Sequence, residues 1–124
     1  MPKKRVFVSF DFDNDHDLKV LIVGQSRLED SPFEIVDTSL KEAAPLREWE
    51  DRAQLAIKKS DIVLVMIGRY TYRAPGVLKE VAMARNAGIP IVQMIGHSGE
   101  NYTPVPNAGP IYTWSWPNLK NLLS

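Results

Sequence analysis

The chain contains the stretch DIVLVMIGRYTYRAPGVLKEVAMA at residues 61–84. Its opening run, Asp61–Ile67, is apolar after the first residue, rich in β-branched side chains and without alternation, which predicts a strand buried on both faces. From Val77 onward the apolar residues recur at helical spacing. The stretch therefore predicts a buried strand that ends at Gly68, then a short loop, then a helix that carries Glu80 near its start.

Length and composition are those of one ordinary globular domain. The chain has 124 residues, of which 44% are hydrophobic and 24% charged. A chain of this length can bury roughly two-thirds of the surface that it exposes when unfolded. Basic and acidic residues number 15 each, which indicates neither a nucleic acid nor an anionic membrane as partner. The absence of Cys excludes disulfides and thiolate chemistry. No segment approaches the ~20 apolar residues of a membrane span. The apolar stretch behind the basic N-terminal residues is too short for a signal peptide and contains Ser9 and Asp11, and we expect a cytoplasmic protein.

The rest of the chain predicts strands and helices in alternation. Further strands are expected at Arg5–Phe10, Phe33–Val36, Ile89–Ile95 and Ile111–Trp114. Helices are expected after the polar loop 11–17, at Pro45 and at Pro117, and Gly88 suits the C-cap of the Glu80 helix. This order implies a parallel sheet with helices on both faces and right-handed crossovers. The predicted fold is α/β: a single flavodoxin-like, doubly wound domain with a mainly parallel five-stranded sheet.

Sites in such sheets form where the carboxyl ends of the strands meet, an edge that we call the rim. The predicted rim residues are Phe10, Asp11, Asp37, Thr38, Ser39, Gly68–Thr71, Gly96 and His97. Glu80 can lean over the rim from its helix, at the border of core and solvent, whereas Lys79 points away. The alternative is a glutamate on the helix surface, favoured by the positive end of the helix dipole, and such glutamates are common.

Several familiar sites are excluded by their patterns. The loop after the first strand contains the alternating acids Asp11, Asp13, Asp15 and Asp17. An EF-hand needs Gly and Glu at its sixth and twelfth positions, which here are His16 and Ile22. A phosphoreceiver needs an Asp at the end of strand three and a Lys at the end of strand five, where this chain has neither. Dinucleotide, Walker A and nucleophile-elbow patterns do not occur either. We predict no metal and interpret the loop as capping and turn residues.

Three segments in order resemble a known family. They are Val6–Asp15, Asp61–Gly68, and Thr71-Tyr72 followed by Val77, Glu80 and Ala84, with Trp114-Ser-Trp116 near the end. In this order they resemble the TIR-like (Toll/interleukin-1 receptor-like) family of short bacterial and archaeal proteins. That family includes the signal-making subunit of Thoeris anti-phage defence.

The resemblance implies cleavage of NAD at the nicotinamide–ribose bond, giving ADP-ribose or a cyclic ADP-ribose-type signal. The family's catalytic glutamate lies early in the helix after strand three, which is Glu80 here. The residues after strand one, Phe10 and Asp11, would line the same pocket. With the other positions at the rim, the expected substrate-binding residues are Phe10, Asp11, Asn14, Asp37, Tyr70 and Thr71. NAD would be a substrate, with no cofactor. The expected partners are a second copy of the chain or an effector protein, with no nucleic acid and no membrane.

Two positions depart from the family's pattern. The Ser that often stands six residues before the glutamate is Ala74, and the Trp four residues before it is Gly76. Tyr70 or Tyr72 could supply the missing aromatic ring. A non-enzymatic interaction and assembly module is therefore the alternative function, and a nucleoside-processing transferase of related fold would also use a glutamate on a helix.

The segment Gly96–Pro110 is long for a loop inside a compact domain, and such loops are usually functional or disordered. It leaves the fourth strand at the rim. It is expected either to cover a nucleotide pocket or to contact a neighbouring subunit, with His97 and Tyr102 as the contacts. The alternative is a rigid connector that carries the chain to the last strand.

Overall fold

Strands and helices alternate throughout the computed structural model, which describes residues 3–11, 16–36, 46–96 and 102–123. The elements are β1 Lys4–Ser9, α1 His16–Ser26, β2 Phe33–Ile35, α2 Leu46–Lys58, β3 Ile62–Ile67, α3 Pro75–Ala87, β4 Ile91–Ile95, β5 Ile111–Thr113 and α4 Trp116–Leu123. A 3-10 turn at Thr71–Arg73 precedes α3. None of the described helices combines the length and the apolar character that crossing a bilayer requires.

The described strands form one parallel sheet in the order β2-β1-β3-β4-β5. This is the flavodoxin-like, doubly wound order, and the predicted fold class is confirmed. In register, Ser9 of β1 lies beside Val65 of β3, and Val65 lies beside Gln93 of β4. Residues in register on neighbouring strands present their side chains to the same face of the sheet, so these three lie in one row.

Two hydrophobic cores cover the two faces of the sheet. The core on the α1/α4 face includes Val6, Val8, Phe10, Leu18, Ile22, Leu64, Met66, Leu119 and Leu123. The core on the α2/α3 face includes Phe7, Ala53, Ile57, Val63, Val65, Ile67, Val77, Val81 and Ala84. All six residues of β3 are buried, as the uninterrupted apolar run predicts. Each large side chain that is fully buried contributes about 1.5–3 kcal/mol to folding.

The predicted helices are present, but α1 begins at His16, inside the predicted loop 11–17, and α4 begins at Trp116 instead of Pro117. Gly88 ends α3 with φ at 72°, the left-handed conformation that glycine adopts without penalty, and its N–H donates to the carbonyl of Ala84. Ala53 and Ile57 form the buried stripe of α2, while the side chains of residues 46–49 lie outside the described part. β4 begins at Ile91 instead of Ile89, because Pro90 has no N–H to donate to a ladder.

The described part of the long loop, residues 102–110, is tied to the sheet. The buried amide of Gln93 donates from Nε2 to the carbonyl of Gly109 (2.9 Å), and the N–H of Val105 donates to Gln93 Oε1 (2.8 Å). Val105 and Ala108 are buried in the core of the α2/α3 face. Tyr102 is exposed, whereas His97 lies outside the described residues. This part of the loop packs as a connector, and its predicted role at a pocket or a subunit contact stays a prediction.

Candidate functional site

Glu80 lies early in α3 on the side that faces the sheet, and its side chain is 0% exposed. The expected position at the border of core and solvent is therefore wrong, and so is the alternative of a glutamate on the helix surface. The reason is helical spacing: Glu80 follows Val77 by three residues and precedes Ala84 by four, which places it in the apolar stripe. Lys79 is exposed, as predicted, and forms an ion pair with Glu50 of α2.

One hydrogen-bond partner of Glu80 is Ser9, the last residue of β1. The Ser9 hydroxyl donates a hydrogen bond of 2.8 Å to Glu80 Oε1, and Ser9 is also 0% exposed. Moving a carboxylate out of water costs several kcal/mol unless hydrogen bonds or other charges compensate it. A glutamate held at that cost at the carboxyl end of a central parallel strand is typical of a functional group.

Ser9 is the residue at this site that the sequence analysis missed. Ser9 lies between Val8 and Phe10 in the sequence. Because successive side chains of a strand alternate between the two faces of a sheet, Ser9 lies on the opposite face from those two residues. A single hydroxyl in an otherwise apolar strand, just before the strand ends, was the signal that could have identified it.

The predicted substrate-binding residues do not all lie on the same side of the sheet. Phe10 is 1% exposed and packs in the core of the α1/α4 face, away from Glu80. Asp11 is buried directly after β1. Asn14 and Asp37 lie outside the described residues. Contact of any of these residues with a substrate stays a prediction.

Tyr70 and Thr71 belong to the loop that joins β3 to α3. Thr71 is buried, and its Oγ1 accepts a hydrogen bond of 2.7 Å from the N–H of Gly68, which fixes the turn at the end of β3. Tyr70 is 37% exposed. The guanidinium of Arg73 lies 4.7 Å from the centre of the Tyr70 ring and 5.9 Å from that of Tyr72. The loop therefore carries aromatic rings and two exposed arginines, Arg69 and Arg73, next to the end of β1, since β1 and β3 are neighbours.

Comparison with solved structures finds the same fold in an enzyme. The CMP N-glycosidase BcmB of Clostridium botulinum superposes with a TM-score of 0.62 at 22% sequence identity. The match covers 96% of this chain and 97% of that chain. At this level of identity the likeness shows a shared fold alone. None of the curated proteins matches the chain in sequence.

The family comparison agrees with the resemblance seen in the sequence. The family model for the TIR-like domain of the Thoeris protein ThsB matches residues 7–101. This range includes both Ser9 and Glu80 and runs from β1 to beyond the end of β4. The chain therefore belongs to the TIR-like domain family of the Thoeris protein ThsB.

Proposed function

We propose that this domain cleaves the N-glycosidic bond between nicotinamide and ribose in NAD, giving ADP-ribose or a cyclic ADP-ribose-type signal in anti-phage defence. The observation that carries the proposal is the buried Glu80 carboxylate hydrogen-bonded to Ser9 at the end of β1. Membership of a Thoeris family supports the same chemistry. The cytoplasm, where NAD is available, is the proposed location.

The chemistry of NAD suits a site built around one carboxylate. The nicotinamide nitrogen is positively charged in NAD, so the ring leaves as a neutral molecule and needs no proton. The positive charge passes to the ribose, whose anomeric carbon becomes oxocarbenium-like. A negative carboxylate about 4 Å away stabilises that charge by about 4 kcal/mol at an effective dielectric constant near 20. Water then attacks the anomeric carbon and loses a proton to give ADP-ribose, or an adenine nitrogen attacks it to close a ring.

The role proposed for Ser9 is to orient the carboxylate. Its hydrogen bond to Oε1 holds one oxygen of Glu80 against β1. A fixed carboxylate needs little reorganisation when positive charge develops on the sugar, which is the source of electrostatic catalysis. The proposed catalytic residue is thus Glu80, with Ser9 as its positioning residue; because both are 0% exposed, contact with the ribose requires local opening of the structure over Glu80.

A second substrate is favoured by one observation. The enzyme with the same fold is described as a CMP N-glycosidase, which acts on the same kind of bond in a different nucleotide. Cytosine, however, is a poor leaving group unless it is protonated, whereas nicotinamide leaves NAD already neutral. We therefore propose NAD as the substrate and treat CMP as the competitor to be tested beside it.

The test is release of the free base by the purified chain. NAD and CMP are incubated separately, and nicotinamide and cytosine are quantified by liquid chromatography for wild type, Glu80→Gln and Glu34→Gln. Glu34 is an exposed carboxylate of β2 and serves as the matched control. We expect nicotinamide from wild type and Glu34→Gln, and about 10³-fold slower release from Glu80→Gln, the rate equivalent of about 4 kcal/mol.

Other outcomes would contradict the proposal. Cytosine release without nicotinamide release would assign the chain to nucleotide hydrolysis. A Glu80→Gln variant as active as wild type would remove the catalytic role of Glu80. If neither base is released while the chain self-associates in size-exclusion chromatography, the assembly module is the better interpretation.

A further inference from the structure

The loop of residues 68–74, which we call the rim loop, carries two exposed arginines, Arg69 and Arg73, and the exposed ring of Tyr70 at the carboxyl edge of the sheet. Its backbone is well fixed: the N–H of Arg73 donates to the carbonyl of Tyr70 (3.2 Å), and the N–H of Ala74 donates to that of Thr71 (3.1 Å). Thr71 is buried beneath it, while the side chains of Tyr70 and Arg73 are exposed. The rim loop thus holds these two side chains outward on a rigid turn.

The recorded side-chain contacts of Arg73 are with aromatic rings, whereas Lys79 and Lys120 each form an ion pair with a carboxylate. Lys120 also lies 5.5 Å from the centre of the Trp116 ring. In the described part of the chain, the recorded side-chain partners of Arg73 are the rings of Tyr70 and Tyr72. A guanidinium that stacks on a ring through its flat face keeps its in-plane N–H donors available to a ligand, and the Arg73 side chain is exposed. Those donors form the fork that binds phosphate in a bidentate manner.

We propose that Arg73, supported by the Tyr70 ring, binds the phosphate attached to the ribose whose glycosidic bond is cleaved. The inference rests on the proposed function, because it assumes a nucleotide substrate. Both NAD and CMP carry a phosphate on that ribose. The rim loop follows β3, and Ser9 with Glu80 lies at the end of β1, the neighbouring strand about 4.8 Å away. The rim loop and the Ser9–Glu80 pair thus lie at the ends of neighbouring strands, and the proposal places the phosphate of a ribose at Glu80 beside the rim loop.

The test compares substrates that differ only in phosphate. NAD carries a pyrophosphate, nicotinamide mononucleotide carries one phosphate, and nicotinamide riboside carries none. We expect Arg73→Gln to raise KM for the first two by about 10- to 100-fold, the range for a hydrogen bond to a charged group. The kcat/KM for the riboside should stay unchanged. Arg52→Gln, on the exposed side of α2, is the matched control and should leave all three substrates unaffected.

Two kinetic results would overturn the inference. An equal loss with the riboside would mean that Arg73 acts on the fold or the chemistry instead of the phosphate. An unchanged KM for NAD and the mononucleotide would mean that Arg73 only covers the tyrosine rings. Thermal unfolding distinguishes a folding defect from a binding defect. We expect the Tm of Arg73→Gln to lie within about 2 °C of the wild-type Tm.

A binding measurement separates this inference from the proposed function. ADP-ribose is titrated into wild type and Arg73→Gln in a calorimeter, where no cleavage is needed. Binding that is about 10- to 100-fold weaker in the variant supports the inference. If wild type binds ADP-ribose in this way yet releases no nicotinamide from NAD, the proposed function fails and the phosphate site stands. Equal binding by both proteins, or no binding by wild type, overturns the site.

Discussion

Replacing Glu80 by Gln is expected to stabilise the protein while it removes activity. The carboxylate is 0% exposed in an apolar stripe of α3, and such burial of a charge costs several kcal/mol. Gln has the same size, and its Oε1 can still accept the bond from Ser9. That bond weakens from about 1.5–3 kcal/mol for a charged acceptor to about 0.5–1.5 kcal/mol for a neutral one. The relief of desolvation is the larger effect, so we expect the free energy of unfolding to rise by about 1–3 kcal/mol.

Urea unfolding measures this change through the fluorescence of the three tryptophans. Linear extrapolation gives the free energy of unfolding, and a gain of 1 kcal/mol should also raise Tm by roughly 3–6 °C in a domain of this size. The control is Glu34→Gln, in which an exposed carboxylate changes and stability should stay within about 0.5 kcal/mol of wild type.

The sign of the change decides between two roles for Glu80. A residue kept for chemistry at the expense of stability gives a more stable variant when it is neutralised. A loss of about 1 kcal/mol or more in Glu80→Gln would show that the carboxylate contributes to the fold through its bond to Ser9. Burial of the Glu80 charge would then be explained by stability and would not indicate a catalytic role, whatever the activity of the variant.

Two further predictions concern the loop and the pH dependence of stability. Gln93→Leu removes the hydrogen bonds that hold segment 105–109 and leaves buried backbone groups unpaired. The free energy of unfolding, measured in urea titrations, should therefore fall by about 2–4 kcal/mol. A change below about 0.5 kcal/mol would contradict the role of Gln93 in holding the loop. The hydrogen bond from Lys120 lowers the pKa of Asp30 below its usual value of 3.8. The pair therefore stabilises the fold above about pH 4, and this stabilisation is lost as the pH falls through the lowered pKa of Asp30. Asp30→Asn should flatten that part of the acid unfolding curve, and an unchanged curve would show that the exposed pair contributes nothing.

The fold was predictable from local patterns. The apolar run before Gly68 identified a strand buried on both faces, and the spacing from Val77 onward identified the helix that follows it. A chain in which such strands and helices alternate can adopt only a few sheet topologies, because crossovers between parallel strands are short and right-handed. Element ends were less predictable: β4 starts at Ile91 and α4 at Trp116, since ladder pairing and helix capping depend on neighbouring elements as well as on the sequence itself.

The sequence by itself determined the fold class and singled out Glu80, because helical and strand periodicity and an ordered set of motifs are properties of the chain. Only the tertiary structure decided the surroundings of Glu80. Ser9 is 71 residues away in sequence, and the two side chains meet because α3 packs over β1 and β3 on one face of the sheet. The same packing buries Glu80 and leaves Phe10 on the other face. Contacts of this kind join distant segments, and no local pattern in either segment specifies its partner.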